Sequence, residues 1–157
     1  MSGEAGSPAR GEVADRTAAP KPLPVPDERS AGYWDAAARH ELALARCSRC
    51  SRLTHPPDVA CPHCLSTDPA FAFAPVDGRG TVRSWTVVRD SFLPGFVAEV
   101  PFVLVDVELD VQRDLRLIGR LVDGPDAPLR VGDRVTTVFE DLADGVAVPA
   151  FALDRSS

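Results

Sequence analysis

Four cysteines in two closely spaced pairs, Cys47-Ser48-Arg49-Cys50 and Cys61-Pro62-His63-Cys64, constrain this chain more than any other feature. A two-residue gap lets one tight turn aim both thiolates of a pair at a single ion about 2.3 Å from each sulfur, and two such turns facing one another complete a tetrahedron. The ten residues between the pairs are enough for two short strands and a turn through His55-Pro56-Pro57-Asp58. With Cys47, Cys50, Cys61 and Cys64 all used as ligands, no coordination position is left for water, so the zinc this pattern implies is structural and not catalytic. A thioredoxin-type redox pair is the weaker reading, because it needs a single Cys-x-x-Cys opening a helix, whereas these flanks are proline-rich and strand-like. Iron also suits four thiolates, and spacing does not separate it from zinc. His63 or His55 can replace a cysteine as ligand, but with four thiolates at matched spacing they read better as outer donors or solvated residues. His40 reads as a surface residue of a helix.

Compartment bears on the same cysteines. No stretch approaches the roughly 20 apolar residues needed to cross a bilayer, and the N-terminus lacks the basic-then-apolar order of a secretory signal. The expected location is therefore the cytoplasm, where reducing conditions disfavour disulfides and favour metal sites. The net charge of -6 and pI near 5.0 leave a sequence-independent grip on phosphate backbones dependent on a concentrated basic face, which the sequence does not display.

The chain divides into five stretches. Residues 1–26 are rich in Ala, Gly, Pro and charge, have no apolar period and end in Pro20-Lys21-Pro22-Leu23-Pro24-Val25-Pro26; they read as a disordered tail turning polyproline-like. Residues 27–45 hold a helix capped by Asp27 or Ser30, running through Tyr33, Trp34, Ala37, Ala38, Glu41 and Leu42, and a lead-in strand. Residues 46–74 form the zinc ribbon, of rubredoxin-like type. Residues 75–153 carry five segments of strand character, Thr81–Val88, Phe102–Leu109, Leu115–Val122, Val135–Phe139 and Val146–Leu153. Period two is clear in the second, where Val103, Val105, Val107 and Leu109 share a face opposite Leu104, Asp106 and Glu108. Five strands of this length separated by Gly, Asp and Pro turns suit a small OB-type barrel, with Gly119 at a bend of the third. Residues 154–157 are a short tail. The fold class is therefore mainly β: an N-terminal helix, a zinc ribbon and a five-stranded OB-type β-barrel.

No catalytic constellation emerges. A nucleophile elbow, a phosphate-cradling glycine loop and a metal-binding His pair on a helix are all missing. Gly78-Arg79-Gly80 precedes a strand and reads as a turn entering the barrel. Asp106, Glu108 and Asp110 alternate as a solvated outer face would. The segment Ser91–Phe102 is harder to set aside: it joins the first two barrel strands and carries Phe92, Leu93, Phe96 and Val97 around a Pro-Gly turn, as a binding edge would.

These residues together resemble the zinc-ribbon and OB-fold family once catalogued as domain of unknown function 35. The resemblance runs from about Pro26 to Leu153 through Tyr33-Trp34, Arg46-Cys47-x-x-Cys50, Pro56-Pro57 and Cys61-Pro62-x-Cys64. It continues through Gly78-Arg79-Gly80-Thr81-Val82, Pro101-Phe102, Glu108-Leu109 and Val131-Gly132-Asp133-Arg134-Val135. Where members often have Gly after the second and fourth cysteines, this chain has Ser51 and Leu65, so a positive φ there implies strain. The resemblance implies a small accessory subunit of a thiolase-like or aldolase protein, or of a MaoC-type enoyl-CoA hydratase. The larger enzyme acts on an acyl-CoA ester, including the thioesters of steroid side chains, and carries the chemistry. Tyr33, Trp34, Phe92 and Phe96 are the candidate partner interface. The alternative from another class is a single-stranded nucleic-acid-binding module, with Trp85 beside Arg83, Arg89, Arg116 and Arg120 as its best surface. A third is a stand-alone acyl-CoA carrier.

Overall fold

A computed structural model describes residues 19–155. The expected disorder of residues 1–26 falls, for residues 1–18, outside the described residues. From residue 19 onward the segment lies along the barrel instead, with Lys21 Nζ 2.5 Å from Glu99 and 5.2 Å from the centre of the Phe96 ring.

The helix α1 spans Ala31–Ala37 and is shorter than its apolar positions imply. Its entry is fixed by Asp27, whose carboxylate accepts from the Ser30 amide at 2.8 Å and the Ser30 hydroxyl at 2.5 Å. Its exit is a Schellman turn. The Glu41 amide donates to the Ala36 carbonyl at 3.0 Å and the His40 amide to Ala37 at 2.8 Å. His40 takes the left-handed conformation, φ +58, that glycine usually supplies. The reversal turns Leu42 away from the helix axis and starts the first strand.

That strand, β1 (Ala43–Arg46), is the centre of a three-stranded antiparallel sheet, flanked by β2 (Leu53–Thr54) and β3 (Ala72–Pro75). Only the two-residue β2 lies between the cysteine pairs, not two strands, because Pro56 and Pro57 have no N–H to give a ladder. Its one neighbour in the sheet, β1, and the third strand, β3, come from outside the cysteine pairs.

The second sheet has the order β6-β5-β4-β7-β8, from β4 (Arg79–Val88), β5 (Phe102–Leu109), β6 (Arg116–Arg120), β7 (Arg134–Ala143) and β8 (Val146–Leu153). Leu121 bridges Phe151 in parallel, and the Val122 amide donates to the Phe151 carbonyl at 2.9 Å. This closes β6 onto β8, the OB-type barrel the strand pattern implies. The closure explains Gly119, which is less a bend than a clearance: a Cβ there would lie 2.9 Å from the Phe151 ring. Strand β7 runs to Ala143, beyond the Phe139 the sequence indicated, and turns through Asp144-Gly145 into β8. At the barrel entrance Gly78, φ +70, leaves room for Thr137, whose amide and hydroxyl both donate to the Gly78 carbonyl.

One core joins both parts. Val103, Val105, Val107 and Leu109 of β5 meet Val82, Leu117, Leu121, Val135 and Phe151 inside the barrel, and the same cluster runs on through Leu42, Leu44, Leu53 and Tyr33. Burial drives this shared packing, at roughly 1.5–3 kcal/mol for each large apolar side chain fully removed from water. Among the described residues no helix is long and apolar enough to cross a membrane.

Candidate metal centre

The two cysteine pairs fold into the same backbone turn. In the first, the Arg49 amide points at Cys47 Sγ at 3.4 Å, the Ser51 amide donates to the Cys47 carbonyl at 2.8 Å, and the Cys47 amide donates to Arg52 at 3.0 Å. In the second, the His63 amide points at Cys61 Sγ at 3.4 Å, the Leu65 amide donates to Cys61 at 2.9 Å, and the Cys61 amide donates to Ser66 at 2.9 Å. Both turns close through a positive φ, +62 at Ser51 and +60 at Leu65, the strain that the absence of glycine implies. Strands β1 and β2 present the first turn, and the Ser48 amide and hydroxyl bind the Pro69 carbonyl at 2.9 Å to bring the chain after the second turn alongside it.

The four sulfurs lie within 4.8 Å of one another. Cys47 and Cys64 are 3.9 Å apart and Cys50 and Cys61 3.7 Å. Four thiolates at about 2.3 Å from one tetrahedral ion sit about 3.8 Å from each other. A disulfide needs about 2.05 Å, and all four cysteines are free. Donor type, number and spacing therefore fit one tetrahedral ion. The ionisation of the thiols points the same way. Burial opposes the charge on Cys61, but the backbone amides of Cys64 and His63 and the neighbouring thiols bring it down to about 6. At Cys50 the Arg52 amide favours the thiolate, yet burial and the three other thiols together push it up to about 11. Of these two thiols, Cys61 holds a negative charge readily and Cys50 resists one beside the other sulfurs.

Neither histidine joins the four sulfurs. His63 Nε2 lies 3.0 Å from the Leu53 carbonyl, tying the second turn to β2. His55 packs on the Tyr33 ring at 4.5 Å, and burial pushes its pKa below the usual value. His40 is exposed but occupied: it stacks on Phe139 at 5.4 Å and its Nε2 lies 2.7 Å from Asp141.

The candidate interface residues separate. Tyr33 is 7% exposed and belongs to the core, with its phenol pushed up to about 12 by burial, so it is not a surface residue. Trp34 is half-buried against that core, Phe96 lies under Lys21, and Phe92 is 79% exposed. The nucleic-acid surface is largely neutralised. Arg116 pairs with Asp106, Arg120 with Glu99 and Glu140, and Arg83 lies 3.6 Å from Glu108. Asp110 pairs with Arg134, which holds its carboxyl below the usual range. These pairings account for the acidic face of β5. Sequence reasoning missed the group formed by Lys21, Glu99 and Arg120, whose members are up to 99 positions apart (120 − 21) and share no motif.

Residues 34–70 match the family model of the ChsH2 rubredoxin-like zinc ribbon domain, and residues 74–140 that of the ChsH2 C-terminal OB-fold domain. The probable enoyl-CoA hydratase alpha subunit of Thermomonospora curvata is 30% identical over 131 residues, which are 83% of this chain and 39% of that protein. The chain thus spans about two fifths of that relative. A chain of the solved Ltp2-ChsH2(DUF35) aldolase is 30% identical with a TM-score of 0.71, covering 83% of this chain and 98% of that one. A DUF35-family protein of unknown function from Sulfolobus solfataricus, 14% identical with a TM-score of 0.52 over 81% of this chain and 86% of its own, shares the fold. With both halves matched in order and a relative spanned almost end to end, the chain belongs to the ChsH2 (DUF35) family of zinc-ribbon and OB-fold proteins.

Proposed function

We propose that this chain is a non-catalytic accessory subunit of a thiolase-superfamily enzyme, a lipid-transfer-protein-type thiolase or retro-aldolase acting on acyl-CoA thioesters such as those of steroid or lipid side chains. The observation that carries this reading is the likeness to the ChsH2 chain of an aldolase named for two components, matched over 98% of that chain. A relative named as a hydratase subunit supports acyl-CoA chemistry close by and makes a hydratase a further partner. In this role Cys47, Cys50, Cys61 and Cys64 hold one structural Zn2+, because four thiolates in a closed tetrahedron leave no position for substrate. Chemistry then resides in the larger subunit. Trp34, Phe92 and Phe96 are its proposed contacts.

Recovery of the tagged chain from native lysate of its source tests the assignment. A stoichiometric thiolase-like protein should co-elute, and the purified chain should be colourless with one zinc per polypeptide. Recovery of the chain alone, with no gain in solubility or activity of a co-expressed thiolase-like protein, sinks the subunit role. Iron, or no stoichiometric metal, sinks the zinc assignment separately.

A further inference from the structure

A strand at the edge of a sheet leaves the backbone groups on one side without a ladder partner, and a buried residue there needs them satisfied by something else. Strand β2 is such an edge: it pairs with β1 alone, and its Leu53 is 2% exposed. What covers the free side of Leu53 is a side chain from the barrel, 59 positions away in sequence. The Leu53 amide donates to Gln112 Oε1 at 2.8 Å, and Gln112 Nε2 donates to the Leu53 carbonyl at 2.9 Å. A side-chain amide carries the same donor and acceptor as a peptide group, so Gln112 stands in for one residue of a neighbouring strand.

The same carbonyl takes a second donor. His63 Nε2 lies 3.0 Å from it, so both lone pairs of the Leu53 oxygen are used, one by the second cysteine turn and one by the turn between β5 and β6. His63 stands between Pro62 and Cys64, and its own amide points at Cys61 Sγ at 3.4 Å. On the barrel side, the Leu109 amide closes the base of the β5–β6 turn on the Leu115 carbonyl at 2.9 Å, but the tip has little support of its own. The Gln112 amide reaches the Leu109 carbonyl at 3.4 Å and the Leu115 amide the Gln112 carbonyl at 3.3 Å. Val111, Arg113 and Asp114 are exposed, and Asp114 is left-handed at φ +63. Both bonds from the Gln112 side chain to Leu53 are shorter than either bond within the tip, so the ribbon holds the tip more firmly than the tip holds itself.

We propose that Gln112 couples the metal centre to the barrel: four sulfurs on one ion keep His63 and β2 in place, β2 holds the Gln112 amide, and that contact orders the tip of the β5–β6 turn. The barrel core stays out of this path, because Val107 and Leu109 at the end of β5 pair with β4 and are buried without help from the ribbon. Coupling of this kind is reciprocal, so the grip of Gln112 on Leu53 strengthens the hold of the four cysteines on their ion. Gln112 is thus a positioning residue, acting on the ion through Leu53 and the second cysteine turn. The proposal rests on the metal part of the proposed function and on no partner.

The test uses the full chain, loaded with Zn2+ or stripped by a chelator, with amide exchange read by NMR and Zn2+ affinity read by competition with a chromophoric chelator. Stripping should raise exchange at the Gln112 and Leu115 amides roughly tenfold or more while Val103, Val105 and Val107 stay protected. Gln112→Met keeps the length of the side chain and loses its donor and acceptor. That variant should show the fast exchange at residue 112 and Leu115 even when loaded, and should bind Zn2+ about tenfold more weakly at an unchanged barrel protection; Gln112→Ala repeats the measurement should the first variant fold poorly. Exchange at Gln112 and Leu115 that ignores the metal, or a folded variant that binds Zn2+ within about twofold of the wild type, overturns the proposal. Loss of protection at Val103, Val105 and Val107 on stripping also overturns it, since the metal then holds the whole barrel and not one turn. A chain that takes up no Zn2+ loses the coupling together with the zinc assignment, whereas a loaded chain with a metal-independent turn loses the coupling and keeps the assignment.

Discussion

Five described residues other than glycine have positive φ; at three of them, the helix exit and the two cysteine turns, the side chain decides what the conformation costs. His40 ends α1 at φ +58 but gains a stacked ring and a hydrogen-bond partner in Phe139 and Asp141. Ser51 and Leu65 close the two cysteine turns at φ +62 and +60 with exposed side chains, Leu65 at 78%. A left-handed residue with a Cβ costs roughly 1–2 kcal/mol, part of which glycine returns through its looser unfolded chain. Ser51→Gly and Leu65→Gly should therefore each raise stability by about 0.5–1 kcal/mol in thermal unfolding of the metal-loaded protein, whereas His40→Gly should lower it. A gain in the third and none in the first two would show that strain is not what the cysteine turns store. His55 makes a different kind of prediction. Its buried Nδ1 has no hydrogen-bond partner among the described residues, and burial lowers its folded pKa below the unfolded value of about 6.5. The unfolded chain then takes up the proton first, so this contribution to stability is complete above about pH 7.5 and declines as pH falls through 6.5 toward the lower folded value. His55→Phe keeps the ring against Tyr33 and removes the titration. Between pH 7.5 and 5.5 the wild type should lose more stability than the variant, with acid release of the metal common to both; parallel curves would refute the assignment.

The ribbon and the barrel hold themselves together by different means. Strand β2 contributes two residues, too few to stand without the sulfurs drawing both turns onto one ion, while β5 is paired along its length on both sides and lined by four buried aliphatic side chains. Chelation of the metal should therefore raise amide exchange across both cysteine turns and β2 toward unprotected rates while Val103, Val105 and Val107 stay protected. Equal protection of the turns with and without metal would deny the ion its structural part. The same contrast explains what could be read in advance. The cysteine turns are local, each spanning six residues from Cys47 to Arg52 and from Cys61 to Ser66, so the convergence of the four sulfurs is legible in the spacing. Strand β5 was equally plain, because its alternation runs through all eight residues. The early end of α1 was not, because the periodicity through Leu42 is real and only the Schellman turn at His40 separates helix from strand. Nor was the route of Lys21: its contacts with Glu99 and Phe96 arise from barrel closure, and a proline-rich segment read alone has no surface to lie on.

One hydrophobic core runs from Tyr33 on the helix through Leu44 and Leu53 of the ribbon to Phe151 of the barrel, so helix, ribbon and barrel pack as a single unit. Its surface is mostly neutralised charge: Arg116 with Asp106, Arg134 with Asp110 and Arg155 with Asp123. Such exposed pairs contribute little to stability, but they engage Arg83, Arg116 and Arg120 of the candidate nucleic-acid surface, and the net charge of -6 disfavours binding to a polyanion further. Exposed apolar side chains are spread over the described surface, among them Val59, Trp85, Ile118 and Val131, and the β4–β5 loop adds the one exposed phenylalanine, Phe92 at 79%, beside Leu93 at 46%. Large aromatic side chains at the centre of an interface carry a disproportionate share of its affinity, and a charge placed there loses the burial and adds desolvation. Phe92 touches neither the core nor the sulfurs. If the proposed subunit role holds, Phe92→Glu should weaken capture of the proposed thiolase-like partner by about tenfold or more in pull-down titrations, while melting temperature and metal content stay at wild-type values. Undiminished capture would move the docking face off this loop and onto the Trp34 side of the molecule, where Trp34→Ala would then have to show the loss.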